Sequence, residues 1–248
     1  MKISIITVCY NSAATIEKTF QSVQSQSYTD IEYIVIDGGS KDGTLDLIQK
    51  YESKISKWVS EPDKGLYDAM NKGIVMATGD IVGILNSDDT FFNKVVLEEV
   101  ANFHSTNKNI DASVGNIVQH NEEGKVVRKY SAKNWHPEKL KIGFMPAHPA
   151  IFFKRELFEL YGSYALDFKI GADYELITRF FLKEKITWKY SGITTTAMLI
   201  GGVSSSGYES YKLITKEIAK ALNRNNIEFS YTKVLLRGFW KLVGLLKR

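Results

Sequence analysis

The sequence predicts an α/β protein with a mostly parallel central sheet and helices on both of its faces. The first ninety residues alternate β-branched apolar runs with stretches in which apolar residues recur at helical spacing, and this order predicts a parallel sheet with right-handed crossovers. The runs at residues 3–8 and 31–36 are apolar nearly throughout, as in strands that are buried on both faces. Two apolar runs stop abruptly in acidic and small residues, at 37–44 and 86–89, where the ligand crevice of such a sheet lies.

The first helix is predicted directly after the first strand. Asn11 and Ser12 can cap it, and Ile16, Phe20 and Val23 recur at i, i+4 and i+7 along one face. The other elements of this half are strands at residues 31–36, 57–60 and 80–85 and helices at residues 44–51 and 66–77.

Beyond residue 90 the pattern becomes mixed. Val96, Val100 and Phe103 mark a helix, and residues 112–118 and 125–130 flank a turn, as in an antiparallel hairpin. The remaining predicted elements are a strand at 150–153, a helix at 155–161 that ends at Gly162, and a helix at 172–183. Because no repeat or linker interrupts the chain, residues 1–230 are predicted to form one domain, with halves at 1–90 and 91–230.

The composition is that of an ordinary globular protein. With 248 residues, 44% of them hydrophobic and 24% charged, the chain can bury a full core. The net charge of +4 comes from residues 231–248, which carry five basic residues and no acid, so nucleic acid is not an expected partner. The single cysteine, Cys9, excludes an intrachain disulfide and fits a reducing cytoplasm. Neither a signal peptide nor a membrane-spanning segment is expected, which predicts a cytoplasmic location.

Asp37 is the first candidate site residue. A carboxylate that closes a buried strand can accept hydrogen bonds from a uracil-type N–H or from a ribose hydroxyl, and Gly38 and Gly39 let the backbone approach a ligand. The alternative is that Asp37 and Asp42 only cap the next helix and form its turn. Since Ser40 stands where the second glycine of G-x-G-x-x-G would be, the segment is not a dinucleotide fingerprint.

The second candidate is the acidic loop Asn86-Ser87-Asp88-Asp89. Adjacent carboxylates repel each other unless a cation or hydrogen bonds offset their charge. Mg²⁺ or Mn²⁺ could do so and complete its coordination shell with phosphate oxygens of a ligand. The alternative is a solvated acidic turn that caps the helix after Asn93.

A third candidate lies between these two, in residues 61–73. Asp68, Asn71 and Lys72 fall on one face of the predicted helix. Such a polar stripe can face a base and a diphosphate, or it can simply face solvent.

These motifs, in this order, resemble the family-2 glycosyltransferases, inverting nucleotide-sugar enzymes with a GT-A fold. The matching segments are residues 4–11, 35–44, 61–73, 77–80 and 85–89. The run at 60–74 looks especially like the bacterial exopolysaccharide and O-antigen branch, which includes colanic-acid-type transferases. The resemblance implies that the protein moves a sugar from a nucleoside-diphosphate sugar to a glycan or lipid-linked saccharide, with inversion, in surface polysaccharide biosynthesis.

The resemblance also implies roles for individual residues. The donor site would comprise Thr7, Tyr10, Asp37, Gly39, Asp68, Asn71, Lys72, Ser87 and Asp88. The acidic loop would be the D-x-D metal motif, but Asn86 occupies the first Asp position, so metal ligation must rest on Asp88, Asp89 or both. His148 matches a family histidine near the active site and is a further candidate ligand, with a structural role as the alternative.

The acceptor site is expected in the second half. Residues 171–176 resemble the family segment whose Asp is the general base, here Asp173, the carboxylate that takes the proton of the acceptor hydroxyl. The alternative is a plain helix-capping Asp, and Glu175 is the reserve candidate for the base. Residues 201–204 resemble a late loop that closes over the donor, or form a simple turn.

Residues 231–248 are predicted to form a basic amphipathic helix. Lys233, Arg237, Lys241 and Arg248 fall on one strip, and apolar residues including Trp240 cover the rest. This pattern fits a helix in an anionic membrane interface, on the inner face of the cytoplasmic membrane. The alternative is a helix that packs on the domain or at a dimer contact.

Two other functions are alternatives to sugar transfer. A sugar nucleotidyltransferase would carry a loop rich in Gly and Lys or Arg near residue 10, which residues 10–14 do not provide. A non-catalytic glycan-binding or assembly subunit is disfavoured because acidic residues occupy every expected position except Asn86.

Overall fold

The computed structural model describes residues 1–121, 123–200 and 207–238. Its contacts group into two compact units. The first unit comprises Met1–Lys133, Pro146–Tyr164 and Thr187–Ile200, and the second comprises Asn134–Met145, Ala165–Ile186 and the described residues from 207 onward. The chain thus passes between the units several times.

The first unit begins with the predicted alternation of strands and helices. These elements are β1 (Ile3–Cys9), α1 (Ile16–Gln24), β2 (Ile31–Asp37), α2 (Thr44–Tyr51), β3 (Lys57–Ser60), α3 (Leu66–Met76) and β4 (Ile81–Ile84). Strand β1 pairs in parallel with both β2 and β4, and β2 pairs in parallel with β3. The carboxyl ends of all four strands therefore meet at one edge of the sheet.

The rest of the first unit adds mixed pairing. It contains β5 (Thr90–Phe91), α4 (Val96–Thr106), β6 (Ala112–His120), β7 (Val126–Tyr130), β8 (Ile151–Lys154), α5 (Glu156–Tyr161) and β9 (Trp188–Leu199). The sheet order is β3-β2-β1-β4-β8-β6-β9-β5, with β7 paired to β6. The predicted hairpin is present as the antiparallel pair β6–β7. Strand β9 was not predicted, and it runs parallel to β6.

The core of this unit forms where the apolar strands meet the apolar stripe of α1. Every residue of β1 is buried, and α1 buries Ile16, Phe20 and Val23, the three positions that its spacing predicts. The ring of Phe20 meets that of Tyr33 on β2 edge to face, with 6.1 Å between their centroids. This contact fixes α1 on the sheet and leaves the loop after β1 at the sheet edge.

The second unit is helical in its described part. It contains α6 (Ala172–Thr178), continued by a π-helical turn at Arg179–Lys183, then α7 (Gly207–Arg224) and α8 (Tyr231–Leu235). The predicted helix at 172–183 is thus present, with a change of winding after Thr178. None of the helices in residues 1–121, 123–200 and 207–238 is long and apolar enough to cross a membrane.

Arg237 does not lie on an exposed basic strip, contrary to the amphipathic pattern. Only 3% of it is exposed. Its guanidinium group donates a hydrogen bond to Thr215 Oγ1 at 2.6 Å and lies 4.3 Å from the centroid of the Tyr211 ring. The reason is that α8 packs on α7, which turns Arg237 inward. Residues 239–248, with the rest of the strip, lie outside the described residues.

His104 on α4 makes the first unit sensitive to acid. Burial, together with the charge of Lys154, lowers the pKa of His104 to about 4, and its Nε2 lies 3.0 Å from Ser113 Oγ. Because the unfolded-state pKa is about 6.5, the unfolded chain binds the proton first as pH falls. We therefore expect the free energy of unfolding to drop by about 2 kcal/mol between pH 7 and pH 5 on account of this residue.

Urea unfolding at pH 7, 6 and 5 measures this effect. In His104→Gln, which keeps a polar partner for Ser113, the drop should be smaller by about that amount. Equal pH dependence of the two proteins would contradict the assignment.

Candidate active site

Asp37 ends β2 and is fully buried. Its Oδ2 accepts hydrogen bonds from Ser60 Oγ at 2.7 Å, from the amide of Ser40 at 3.0 Å and from the amide of Gly39 at 3.2 Å. Its Oδ1 accepts a further bond from Ser40 Oγ. The carboxylate is thus saturated by protein donors, and it holds the loop after β2 in place. Gly39 needs to be glycine there, because its φ is +83°.

Thr7 is also an interior residue. It lies within β1, has no exposed surface, and its Oγ1 accepts a hydrogen bond from the hydroxyl of Tyr33 at 3.0 Å. In this structure neither Thr7 nor Asp37 presents a polar atom to solvent at the sheet edge, so each supports the site from beneath.

The loop after β1 joins the other loops at this edge. Asn11 accepts a hydrogen bond from the amide of Lys41 at 3.0 Å, and its own amide donates to Ser40 Oγ at 2.8 Å. Ser12 Oγ lies 2.9 Å from Ser87 Oγ in the loop after β4. The loops that follow β1, β2 and β4 are therefore connected side by side. Tyr10, 64% exposed, stands out from this rim.

The polar stripe of α3 holds the loop that precedes this helix. Lys72 Nζ lies 2.8 Å from Glu61 Oε1 and donates to the carbonyl of Pro62 at 3.3 Å, and its hydrogen bond to Glu61 raises the pKa of Lys72. Asp68 Oδ2 accepts a hydrogen bond from the amide of Lys64 at 3.0 Å. In this structure Asp68 and Lys72 therefore fix residues 61–65 next to the rim.

Asn71 and His148 both make contacts with Tyr164. Asn71 Nδ2 donates to the carbonyl of Tyr164 at 2.9 Å, and the amide of Tyr164 donates back to Asn71 Oδ1 at 2.8 Å. His148 Nε2 lies 2.5 Å from the Tyr164 hydroxyl, and burial lowers the pKa of His148 to about 4. His148 is therefore a neutral, buried side chain whose Nε2 already has a partner, as its structural alternative implies.

The two carboxylates of the acidic loop after β4 lie in different environments. Asp88 is exposed, whereas Asp89 is only 1% exposed. Burial, and then the charge of Asp88, raises the pKa of Asp89 to about 8. Asn86 Nδ2 donates to Asp89 Oδ2 at 3.2 Å, and Asn86 Oδ1 is buried without a partner among the described residues.

This loop fits a metal that is held only partly by protein. The described ranges contain no cluster of three or more His, Cys, Asp or Glu side chains that could bind a metal by themselves. Mg²⁺ and Mn²⁺ can, however, be held by one or two carboxylates together with substrate phosphates. Asp88 provides such an exposed carboxylate, and the unpartnered oxygen of Asn86 lies in the same loop.

In the second unit, Asp173 and Glu175 differ in their burial and in their partners. Asp173 lies in the first turn of α6 and is half-buried, and its Oδ1 accepts a hydrogen bond from the amide of Tyr174 at 2.7 Å. Glu175 is fully buried, lies 2.9 Å from Arg179 in an ion pair and accepts a bond from Asn225 Nδ2 at 3.1 Å. Glu175 thus holds the unit together, whereas Asp173 is the less buried of the two carboxylates. The predicted loop at 201–204 lies outside the described residues.

Sequence reasoning passed over Asp63. Its carboxylate lies over Gly38, so close that a Cβ on Gly38 would overlap one of its oxygens. The available signal was the glycine pair at 38–39, of which only Gly39 needs a left-handed backbone. A side chain at position 38 would therefore displace the Asp63 carboxylate.

Comparison with known proteins supports the same conclusion as the motifs. The profile of the family described as "Glycosyl transferase family 2" matches residues 4–162. A PGL/p-HBAD biosynthesis glycosyltransferase from Mycobacterium bovis is 27% identical over 223 residues, which cover 88% of this chain and 83% of that protein.

Two solved structures share the fold. S. aureus TarS in complex with UDP-GlcNAc superposes with a TM-score of 0.70 at 20% identity, over 96% of this chain and 71% of TarS. The mannosyltransferase PcManGT from Pyrobaculum calidifontis, in complex with GDP-Man and Mn²⁺, gives 0.66 at 19% identity, over 95% of this chain and 68% of its own. Since the family match runs from β1 to the end of α5, the chain belongs to the family-2 glycosyltransferases, which transfer sugars, and has their GT-A fold.

Proposed function

We propose that this glycosyltransferase moves a sugar from a nucleoside-diphosphate sugar to a glycan or lipid-linked saccharide, with inversion, in surface polysaccharide biosynthesis. The observation that carries the proposal is the rim at which the loops after β1, β2 and β4 are joined, with Tyr10 and Asp88 exposed on it. The sugar nucleotides named for TarS and PcManGT support such a donor, and the PGL/p-HBAD role of the Mycobacterium relative supports a surface glycoconjugate.

The donor-site residues divide into two groups in this proposal. Tyr10, Ser87 and Asp88 contact the nucleotide and the diphosphate from the rim, and the backbone at Gly39 allows the donor to approach. The others position the rim, through the contacts described above: Thr7, Asp37, Asp68, Asn71 and Lys72.

Asp88 would hold a divalent cation, Mn²⁺ or Mg²⁺, together with phosphate oxygens of the donor. When bound, the cation supplies positive charge that stabilises the departing diphosphate. Asp89 supports this loop from its buried position, and His148 orients Tyr164, which in turn contacts Asn71.

Asp173 is the proposed general base. It takes the proton of the acceptor hydroxyl while the acceptor oxygen forms its bond to the anomeric carbon. The bond from that carbon to the diphosphate breaks at the same time. Attack on the face opposite the diphosphate, through an oxocarbenium-like state as in glycoside hydrolysis, inverts the configuration.

The carboxyl-terminal segment supplies a membrane contact in this proposal, with the enzyme on the inner face of the cytoplasmic membrane. On α8 and directly after it, Tyr231, Leu235 and Leu236 are each about half exposed, and Lys233 is exposed beside them. Apolar side chains next to a cation suit an anionic lipid interface, even though Arg237 is buried.

A thermal-shift panel tests the proposed donor. UDP, GDP, CDP and dTDP are added in turn, each with and without MnCl₂. We expect at least one of them to raise the melting temperature only when the metal is present, because the diphosphate completes the coordination shell of the cation. A flat response to all four, with and without metal, would speak for a non-catalytic binding or assembly subunit instead.

A further inference from the structure

One oxygen of the Asp63 carboxylate lies in the space that a side chain at position 38 would fill. A Cβ built on Gly38 would overlap Asp63 Oδ2 and would come within 3.1 Å of Asp63 Cγ. Asp63 Oδ1 accepts a hydrogen bond from the amide of Gly65 at 2.7 Å, whereas Oδ2 has no hydrogen-bond partner among the described residues. Asp63 thus offers one free acceptor atom, held at the carboxyl end of β2.

The loop that carries Asp63 is fixed on both sides. Before it, the amide of Glu61 donates to the carbonyl of Asp37 at 3.0 Å, and Lys72 contacts both Glu61 and Pro62. After it, Asp68 accepts the bond from the amide of Lys64. A carboxylate held in this way is pre-organised, so a ligand does not have to order it on binding.

The ring of Tyr10 lies close to the same point. Its Cδ2 lies 3.3 Å from the Cβ position of Gly38, and the ring is largely exposed. An aromatic ring and a hydrogen-bond acceptor therefore both lie close to Gly38, which has no side chain. Exposed aromatic side chains stack on nucleobases, and a carboxylate can only accept hydrogen bonds.

The other carboxylate at this strand end is already used. Asp37 is saturated by Gly39, Ser40 and Ser60. If a base lies at the end of β2, its N–H groups must find another acceptor, and among the described residues Asp63 Oδ2 is a free carboxylate oxygen close to that strand end.

We propose that Asp63, in place of Asp37, reads the donor nucleobase, by accepting a hydrogen bond from a ring N–H while the base stacks on Tyr10. This inference rests on the proposed function and adds a substrate class to it. Uracil, thymine and guanine carry a ring N–H next to a carbonyl. Cytosine and adenine present a ring nitrogen lone pair at that position, which the carboxylate repels, so only their exocyclic amino group can donate to it. The donor is therefore a uridine, thymidine or guanosine diphosphate sugar.

Calorimetric titration of the full chain with UDP, dTDP, GDP and CDP, in the presence of MnCl₂, tests the inference. The wild-type protein should bind one of the first three at least about tenfold more tightly than CDP, as a lost hydrogen bond to a charged group predicts. Asp63→Ala should weaken that ligand about tenfold to a hundredfold and change CDP little. Gly38→Ala should act in the same direction, because its Cβ displaces the carboxylate.

Asp63→Asn tests most directly whether this side chain accepts a hydrogen bond from the base. The amide of Gly65 needs an acceptor, so the Asn oxygen should face Gly65 and its NH₂ group should face the base. The base-facing atom thereby changes from acceptor to donor, and the preference should shift towards CDP. A purely structural role of Asp63 would not produce this reversal. Asp46→Asn, at an exposed position of α2 in the same unit, is the matched control and should bind like wild type.

The outcomes distinguish a failure of the Asp63 assignment from a failure of the proposed function. Unchanged base preference in Asp63→Ala and Asp63→Asn, with wild-type binding intact, would overturn the role of Asp63 alone. A wild-type preference for CDP would overturn it as well. If the wild-type protein binds none of the four nucleotides, the proposed function fails and this inference fails with it.

Discussion

Replacing Asp173 with Asn is expected to lower the rate of sugar transfer about 10²- to 10⁴-fold, the usual contribution of a general base. Asn keeps the size and the hydrogen-bonding position of the side chain at the start of α6, but it cannot take the proton of the acceptor hydroxyl. Donor binding should remain nearly unchanged, because the donor contacts assigned above are made by the loops after β1, β2, β3 and β4. Turnover rates and donor affinities, measured on the same preparations, give both quantities.

Asp167→Asn is the matched control for this experiment. Asp167 belongs to the same unit but pairs with Lys220 and Arg224 at the surface, so its variant should transfer sugar at close to the wild-type rate. Normal turnover by Asp173→Asn would show that another group acts as the base. Glu175→Gln would not answer the question, since removing that buried partner of Arg179 should destabilise the whole unit.

Asp88→Asn should have the second large effect. Asn keeps an oxygen but loses the charge, so affinity for the divalent cation falls and the departing diphosphate loses its stabilisation. We expect transfer to drop about a hundredfold or more, the range found when one electrostatic contact to a developing charge is removed. Raising the Mn²⁺ concentration should restore part of the activity, which a folding defect would not allow.

Two readouts separate this assignment from a general loss of stability. The melting temperature of Asp88→Asn without ligand should match the wild type, since Asp88 is exposed. Glu99→Gln, an exposed change in the first turn of α4, should keep the wild-type metal dependence. An Asp88→Asn protein with unaltered activity and unaltered Mn²⁺ dependence would remove Asp88 from the metal site.

The sequence was sufficient to predict the strands whose environment is uniform. β1 and β2 are apolar nearly throughout because both faces of each strand are buried, and such runs can be read locally. β9 (Trp188–Leu199) was missed because its residues are mostly half-buried and include three consecutive threonines. Its partner β6 lies some seventy residues earlier in the chain, and no local pattern records so distant a pairing.

For the site as well, the sequence predicts local position but not contacts between distant segments. Spacing predicted that Asp37 and Asp88 would lie at strand ends, and Asp37 ends β2 while Asp88 lies in the loop after β4. It could not predict which carboxylate is free, because that depends on partners from other loops. Ser60 is one such partner, and it comes from the end of β3 to saturate Asp37. Asp63 was overlooked for the same reason, since its closeness to Gly38 becomes visible only in the folded structure.

A calorimetric titration of the wild-type protein with its preferred nucleoside diphosphate, once with MnCl₂ and once with EDTA, tests the central claim most directly. That claim is that the rim formed by the loops after β1, β2 and β4 binds a metal–diphosphate. The account predicts saturable binding of one nucleotide per chain with Mn²⁺ and at least about tenfold weaker binding with EDTA. Equal affinity under both conditions, or no binding under either, would contradict it.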